Sequence, residues 1–368
     1  MKAKGGMGRI IVLAIILVAT IVLEILHLYG GNSYPSAHAV CPLGGLENLW
    51  AWFAGQSNLQ KLFSGTMTLF FFTLVFALIF GRGFCGNICP FGGLFEFVGK
   101  LTRKKHTLPP ALDMPLRYLK YVILIFITFM AWKTATLWIS PYDPYAAFAH
   151  VWKGAEVFNE YFIGFLILAA CLLLSLAYER FFCKYLCPAG ALYGLASKIS
   201  PLKIKRNPCI DCRKCSANCP MNIDVAHCET VKSAECIACG LCVEVCPDSS
   251  KYIGFSFFRK TLKPLTVVLM TVLVFFGSLL AFDVLGLYQV SVPTIRQIEQ
   301  EGTFIKIGDL RGSMSIEIGA QYTGKSLKDF YAIMEIPETI AKETLLKEIA
   351  TQVPGYDFHV MKAKKAND

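Results

Sequence analysis

Residues 84–94 read FCGNICPFGGL, and residues 182–192 read FCKYLCPAGAL. Each stretch follows a long apolar run and places two cysteines four positions apart, with a proline directly after the second cysteine. Aligning residues 82–102 with residues 180–200 matches Arg, Phe, both Cys, Pro, Gly, Leu and Lys in the same columns. The chain therefore contains an internal repeat, and repeats in membrane proteins often form a site at their interface.

A fragment of the same motif occurs a third time, as CPLGGL at residues 41–46, without the upstream cysteine. We expect this copy to lie on the opposite side of the membrane from the other two. Cys41 is then either a ligand or redox group, or a structural thiol beside small glycines. It can reach an inner site only if residues 41–60 re-enter the bilayer.

The composition is that of a membrane protein. The 368 residues are 55% hydrophobic and only 17% charged, which is too apolar for an ordinary soluble protein. Several stretches are long enough to cross a hydrocarbon core of ~30 Å. We predict five spans, of which the first is not cleaved: Ile10–Tyr29, Leu62–Gly81, Tyr121–Ser140, Tyr161–Tyr178 and Pro264–Phe282.

Basic residues predict the orientation of these spans. The loop between the second and third spans is rich in Lys and Arg, whereas the loops after the first and third spans carry few. The N-terminus should therefore be cytoplasmic and residues 289–368 should lie outside. The net charge of +10 then reflects topology and contact with phospholipid rather than binding to nucleic acid.

The loop between the fourth and fifth spans carries CIDCRKCSANCP and CIACGLCVEVCP. Each is C-x2-C-x2-C-x3-C-P, and two in tandem are typical of a bacterial two-cluster ferredoxin, in which the fourth cysteine binds the other cluster. Structural zinc needs paired C-x2-C units instead. We predict two [4Fe–4S] clusters. The ligands of the first are Cys209, Cys212, Cys215 and Cys246, and those of the second are Cys236, Cys239, Cys242 and Cys219.

The CxxxCP pairs suggest a third cluster. On one helix, positions i and i+4 share a face, so each pair would present two thiolates inward. Four thiolates suit a [4Fe–4S] cluster or a zinc ion. A cluster is favoured because the nearby ferredoxin motifs would supply the next electron carrier. We predict a cluster shared by Cys85, Cys89, Cys183 and Cys187. The alternatives for these four cysteines are a thiol–disulfide redox pair, a zinc site and structural packing. The nearby Arg82 and Arg180 would bind lipid phosphate or lower the pKa of the thiols.

Ionisable groups near the outer ends of spans are functional candidates by default. They could form an outer-face quinone or redox site, with Asp143 and His150 as further proton acceptors, or they could be interface residues that snorkel to water. A bis-histidine haem on His27 and His150 is a weaker alternative, and Cys171 and Cys228 are expected to be a packing and a spare thiol. The candidate outer-face residues are Glu24, His27, His38, Cys41 and Asp283.

Two CxxxCP motifs behind spans, followed by tandem cubane motifs, resemble the membrane-bound polyferredoxins of the NapH and NosR type. The resemblance covers about residues 41–253. It implies electron transfer between the quinone pool, or an outer partner carrying flavin or haem, and cytoplasmic or membrane carriers. The fifth span and the tail depart from this pattern, and the chain shows no covalent-flavin or haem-attachment motif.

We therefore expect a mainly α membrane protein of a prokaryotic inner membrane, with about five transmembrane helices, an inserted α+β ferredoxin domain and a small helical C-terminal domain. The expected boundaries are 1–200, 201–260, 261–288 and 289–368. The predicted function is that of an electron-transfer subunit in a membrane redox complex, with a cytoplasmic ferredoxin or reductase as partner. The alternative is a maturation or regulatory factor for a metalloenzyme.

Overall fold

The computed structural model describes most of the chain. The described residues are 4–30, 34, 41–53, 64–102, 106–134, 137–153, 160–258, 260–288, 304, 306–310, 312, 314–346, 348–353 and 355–365. The chain forms two compact units, one of residues 1–49 and 61–290 and the other of residues 50–60 and 291–368.

The first unit is mainly helical and contains one small sheet. Its elements, in chain order, are α1 (Lys4–Gly30), α2 (Pro42–Phe53), α3 (Ser64–Phe80), α4 (Gly83–Asn87), α5 (Pro90–Lys100), α6 (Pro110–Thr134), α7 (Pro144–His150), α8 (Phe162–Ala177), α9 (Phe181–Tyr185), α10 (Pro188–Ser197), β1 (Lys203–Arg206), α11 (Lys214–Ala217), α12 (Leu241–Glu244), α13 (Ser249–Tyr252), β2 (Ile253–Phe257), β3 (Lys260–Leu262) and α14 (Pro264–Val284).

Three of the described helices are long and apolar enough to cross a membrane: Gly6–Tyr29, Ala111–Thr134 and Pro264–Val284. Two shorter apolar helices, Gly65–Phe80 and Phe162–Ala177, coincide with the other two predicted spans. The apolar helices thus lie where the sequence predicts spans, with one shift.

The shift is in the third predicted span, expected over Tyr121–Ser140. The helix begins eleven residues earlier, at Pro110, and ends at Thr134. Its first turns tolerate charge because Arg117 forms an ion pair with Asp113 at 2.7 Å and Lys120 forms one with Glu235. Partners supplied by the fold therefore extend the helix beyond the apolar run that hydropathy detects.

The CxxxCP segments lie beside the interior of the long helices rather than beyond their ends. A methyl group on Gly93 would be 3.5 Å from Leu13 of α1, and one on Gly83 would be 3.3 Å from Thr271 of α14. Both partners lie several residues inside helices that could span a membrane. The repeated motifs are therefore embedded among the helices.

The ferredoxin insert folds around a three-stranded antiparallel sheet in the order β1-β2-β3. Its strands flank the cysteine motifs, since Lys203 pairs with Ser256 and Phe255 pairs with Leu262. The core of the insert is continuous with that of the membrane helices. Its buried members include Phe76, Phe80, Tyr193, Ile237, Phe255 and Phe275.

In the second unit, α15 (Ile316–Thr323) and α16 (Leu327–Ile333) are joined by a left-handed turn at Gly324. Ser326 followed by Asp329 before an apolar stretch predicts a helix-capping box, and the Ser326 side chain accepts a hydrogen bond from Asp329 N–H at 3.2 Å. Pro337 followed by Glu338 predicts another helix start, which is wrong, because that segment forms turns. The unit ends with α17 (Ile349–Gln352) and α18 (Phe358–Lys364).

Candidate metal centres

The first candidate centre lies at the surface of the ferredoxin insert. A cavity there is lined by Cys209, Cys212, Cys215 and Cys246. Arg206 Nη1 donates a hydrogen bond to Cys209 Sγ at 3.1 Å. The fold thus brings the last cysteine of the second motif to the first three cysteines of the first motif.

The second candidate centre lies deeper. A cavity there is lined by Cys219, Cys236, Cys239 and Cys242. Ile223 N–H donates to Cys219 Sγ at 3.4 Å. Burial raises the pKa of Cys236 to about 12, so a metal must displace the thiol proton as it binds.

The two cysteines of each CxxxCP pair do not share one helix, which corrects the expected i, i+4 arrangement. Cys85 lies within α4, whereas Cys89 precedes α5 in an extended conformation with ψ 115°. Cys183 and Cys187 repeat this arrangement, with ψ 110° at Cys187. The reason is the following proline, which excludes the residue before it from the helical region.

Each pair is instead organised as a cap. Gly92 N–H donates to Cys89 Sγ, and Gly190 N–H donates to Cys187 Sγ, both at 3.3 Å. The second cysteine of each pair is therefore the N-cap of the helix that follows it. A helix N-terminus favours negative charge, so these N–H groups interact favourably with a thiolate and oppose the effect of burial, which disfavours it.

The two copies of the repeat hold each other through arginines. Arg82 Nη2 donates to the carbonyl oxygen of Cys183 at 3.3 Å, and Arg180 Nη1 donates to that of Cys85 at 2.9 Å. Each arginine thus binds a cysteine carbonyl group in the other copy of the repeat. This reciprocity brings the two CxxxCP segments together.

The arginines are buried and paired with carboxylates, which corrects the expected contact with lipid phosphate. Arg82 is 1% exposed and binds Glu235 at 3.0 Å; Arg180 is fully buried and binds Glu96 at 2.7 Å. Glu96 also pairs with Arg9. Burial alone would raise the pKa of Glu96, but the charges of Arg180 and Arg9 hold it well below its usual range.

The residues around these pairs suit an anionic cluster. Arg82 Nε, Arg180 Nε and the Asn87 amide are buried and have no hydrogen-bond partner among the described residues. Buried donors are normally satisfied, and sulfur atoms of a cluster accept such bonds. No three Cys, His, Asp or Glu side chains of the described residues are grouped to hold a single metal ion.

The CxxxCP segments also touch the second candidate centre. A methyl group on Gly86, which lies between Cys85 and Cys89, would be 2.0 Å from the carbonyl oxygen of Ile237. Ile237 lies between Cys236 and Cys239 in the chain. The loops of two candidate centres are therefore in direct backbone contact.

Cys41 lies close to the repeat rather than away from it. It packs with Leu43, Leu124 and Ala191, the last of which lies in α10. Helix α2 begins directly after Cys41, as α5 and α10 begin after Cys89 and Cys187. The third CPLGGL copy thus repeats the local helix start of the other two.

The remaining outer-face candidates are spread over several elements. Glu24 is buried in α1, and His27 Nδ1 lies 2.8 Å from the carbonyl oxygen of Tyr34. Asp283 is exposed near the end of α14, and His38 lies outside the described residues. Burial raises the pKa of Tyr145, and Cys41 and Glu24 contribute to the same effect. Cys41 and Glu24 therefore both lie near Tyr145.

Cys171 and Cys228 hold no place in the cavities described above. Cys171 is buried against Phe182 and Cys183, and the Cys228 thiol donates to the carbonyl oxygen of Asp224 at 3.1 Å.

Sequence reasoning missed Glu96 and Glu235. The one available signal was a carboxylate within an otherwise apolar or cysteine-rich stretch.

Comparison with known proteins places this chain among iron–sulfur proteins. The family described as a 4Fe-4S binding domain matches residues 65–109 and 161–207, and the one described as a 4Fe-4S dicluster domain matches residues 201–247. Each copy of the first match contains one CxxxCP motif. No solved structure matches the chain.

Several curated proteins are similar over about half of the chain. YccM of Escherichia coli K12 is 38% identical over 57% of this chain and 60% of its own length. An uncharacterized protein of Methanocaldococcus jannaschii is 34% identical over 51% of this chain and 78% of its own. The ferredoxin-type protein NapH of Escherichia coli K12 is 31% identical over 48% of this chain, and the chain spans 63% of NapH.

Tandem cubane motifs, duplicated CxxxCP motifs among apolar helices and these matches agree with one another. They describe a membrane-associated protein that binds iron–sulfur clusters and takes part in electron transfer. The chain belongs to the membrane-associated 4Fe–4S polyferredoxin family of the NapH and NosR type.

Proposed function

We propose that the chain is the electron-transfer subunit of a membrane redox complex, with three [4Fe–4S] clusters in series. It would relay electrons between a quinone pool, or an outer partner carrying flavin or haem, and a cytoplasmic ferredoxin-like carrier. The observation that carries this proposal is the backbone contact between Gly86 and Ile237, which links the repeat to the ferredoxin insert.

The proposed ligands form three sets of four thiolates. The ferredoxin sets are supported by the two cavities and by the motif spacing. The third set is supported by the reciprocal arginines and the unpartnered buried donors around it. The sets are Cys209, Cys212, Cys215, Cys246; Cys219, Cys236, Cys239, Cys242; and Cys85, Cys89, Cys183, Cys187.

A bound cluster supplies one-electron transfer, and the protein sets its potential through charge, hydrogen bonds to sulfur and burial. At the third set, the N–H groups of Gly92 and Gly190 already point at sulfur. The guanidinium groups of Arg82 and Arg180 add positive charge within the same buried region. These groups should favour the reduced, more negative state.

We further propose five spans in a prokaryotic inner membrane, with the N-terminus and the ferredoxin insert in the cytoplasm. An electron that crosses ~30 Å of hydrocarbon then needs a donor or acceptor at the outer side. Glu24, His27, Cys41 and Asp283 are our candidates for a quinone or redox site there.

The first experiment is to measure iron per chain in anaerobically purified protein and in a Cys85→Ser, Cys183→Ser double variant. Three cubanes predict about 12 iron atoms and two predict about 8. We expect about 12 in the parent and about 8 in the variant. A Cys171→Ser, Cys228→Ser variant is the matched control and should keep the parental value.

If parent and double variant both hold about 8 iron atoms, the CxxxCP thiols bind no iron and this part of the proposal is wrong. Anaerobic reduction by a low-potential ferredoxin, followed optically, then tests the relay itself. Clusters that turn over with neither a quinol nor a ferredoxin would favour a maturation factor instead.

A further inference from the structure

The two ferredoxin motifs have the same loop in opposite environments. Ile210 in the first loop is 64% exposed, whereas Ile237, at the same position of the second loop, is 2% exposed. The second loop is covered by the chain itself, through the contact with Gly86. The first loop has no such cover among the described residues that line its cavity.

The side chains of the two loops also differ in charge. Where the second loop has Gly240 and Leu241, the first has Arg213 and Lys214, both exposed. Together with Arg206 they place three cations around the first cavity, against one carboxylate, Asp211. The first loop therefore carries positive charge that the second lacks.

Arg213 adopts a conformation that disfavours its side chain. Its φ is 54°, and the matching residue of the second loop, Gly240, has φ 77°. Glycine accepts a left-handed backbone freely, whereas a residue with a Cβ is strained there. On backbone grounds glycine fits position 213 better, so the arginine there carries a local conformational cost.

We propose that Ile210, Cys212, Arg213 and Lys214, here called the first-loop face, form the docking surface for a small acidic one-electron carrier protein. An exposed apolar residue within a charged rim is the usual anatomy of an interface. Cys212, also exposed, brings the carrier to the proposed first cluster. The proposal rests on the proposed function.

Positive charge around the face selects a negatively charged partner and speeds its encounter. The exchange is one electron: the carrier is oxidised as the protein is reduced, or the reverse, and no bond is made. The second loop makes the equivalent contact within the chain, because Ile237 lies against Gly86 of the neighbouring candidate centre.

The test measures binding as well as transfer. The detergent-solubilised full chain is immobilised, and its affinity for a purified acidic two-[4Fe–4S] ferredoxin, in its oxidised form, is measured at several salt concentrations. An Arg213→Gly, Lys214→Gln variant is compared with Lys232→Gln, which removes an exposed cation outside the first cavity. Arg213→Gly suits the backbone, so loss of affinity cannot be assigned to misfolding.

We expect the double variant to bind about 10-fold more weakly at low salt, with a shallower salt dependence, and the Lys232→Gln control to bind like the parent. Equal affinity of parent and double variant would overturn the proposal. Low iron in the parent would instead contradict the proposed function, so the two failures are distinguishable.

Discussion

The contact between Gly86 and Ile237 leads to the sharpest prediction. A methyl group at position 86 would lie 2.0 Å from the carbonyl oxygen and 3.0 Å from the carbonyl carbon of Ile237. Ordinary contact begins at 3.4 Å, so the two backbones must separate by about 1.4 Å. Neither side can yield by rotating a side chain, because both are backbone.

Overpacking of this kind costs ~1–3 kcal/mol, and we expect Gly86→Ala to lie near the upper value. A loss of about 3 kcal/mol corresponds to a fall of roughly 4 °C in the thermal midpoint of a chain of this length. The assay is anaerobic thermal unfolding in detergent, followed by tryptophan fluorescence. Iron content should remain parental, because no proposed ligand is changed.

The matched control is Gly254→Ala, in strand β2 of the ferredoxin insert. A methyl group there meets nothing within 4 Å, so its effect should be small. Equal midpoints for Gly86→Ala and Gly254→Ala would refute the reasoning. They would mean that the insert does not pack on the repeat as described, and the proposed series of centres would lose its support.

Two further predictions concern the buried ion pairs. Arg82→Gln removes the buried ion pair with Glu235, which keeps Lys120 as a partner, and should lower the free energy of unfolding by about 1.5–3 kcal/mol. Lys364→Gln, in an exposed pair, should lower it little. Because arginines hold the pKa of Glu96 below its usual value of 4.5, its stabilising effect exists above that pH and is lost below it. The difference in midpoint between parent and Glu96→Gln should therefore narrow as the pH falls below about 4.5, and a constant difference would contradict this.

Local spacing predicted what depends on neighbours in the chain. The sets of cysteines that line the two ferredoxin cavities follow from C-x2-C-x2-C-x3-C-P, because three close cysteines leave the fourth on the far side of its own turn. The capping box at Ser326 is equally local. The helical interpretation of CxxxCP was wrong, although Pro90 and Pro188 already excluded it.

Partners distant in the chain could not be predicted. Arg82 binds Glu235, 153 residues later, and Arg180 binds Glu96, 84 residues earlier. A single sequence does not state which buried charges meet, and an apolar-run criterion treats an arginine at the end of a span as an interface residue. The close approach of Gly86 to Ile237 depends in the same way on how the repeat folds.

The ion pairs bear on what the CxxxCP thiols do. Among the described residues, the four buried cations Arg9, Arg82, Lys120 and Arg180 form ion pairs with two buried carboxylates, Glu96 and Glu235. Two positive charges thus lack a counter-charge within this network, and burying unpaired charge is costly. A disulfide or a pair of protonated thiols is neutral and would not offset them. Four thiolates around a [4Fe–4S] core carry net negative charge, so the electrostatics of the fold favour a shared cluster over thiol–disulfide exchange.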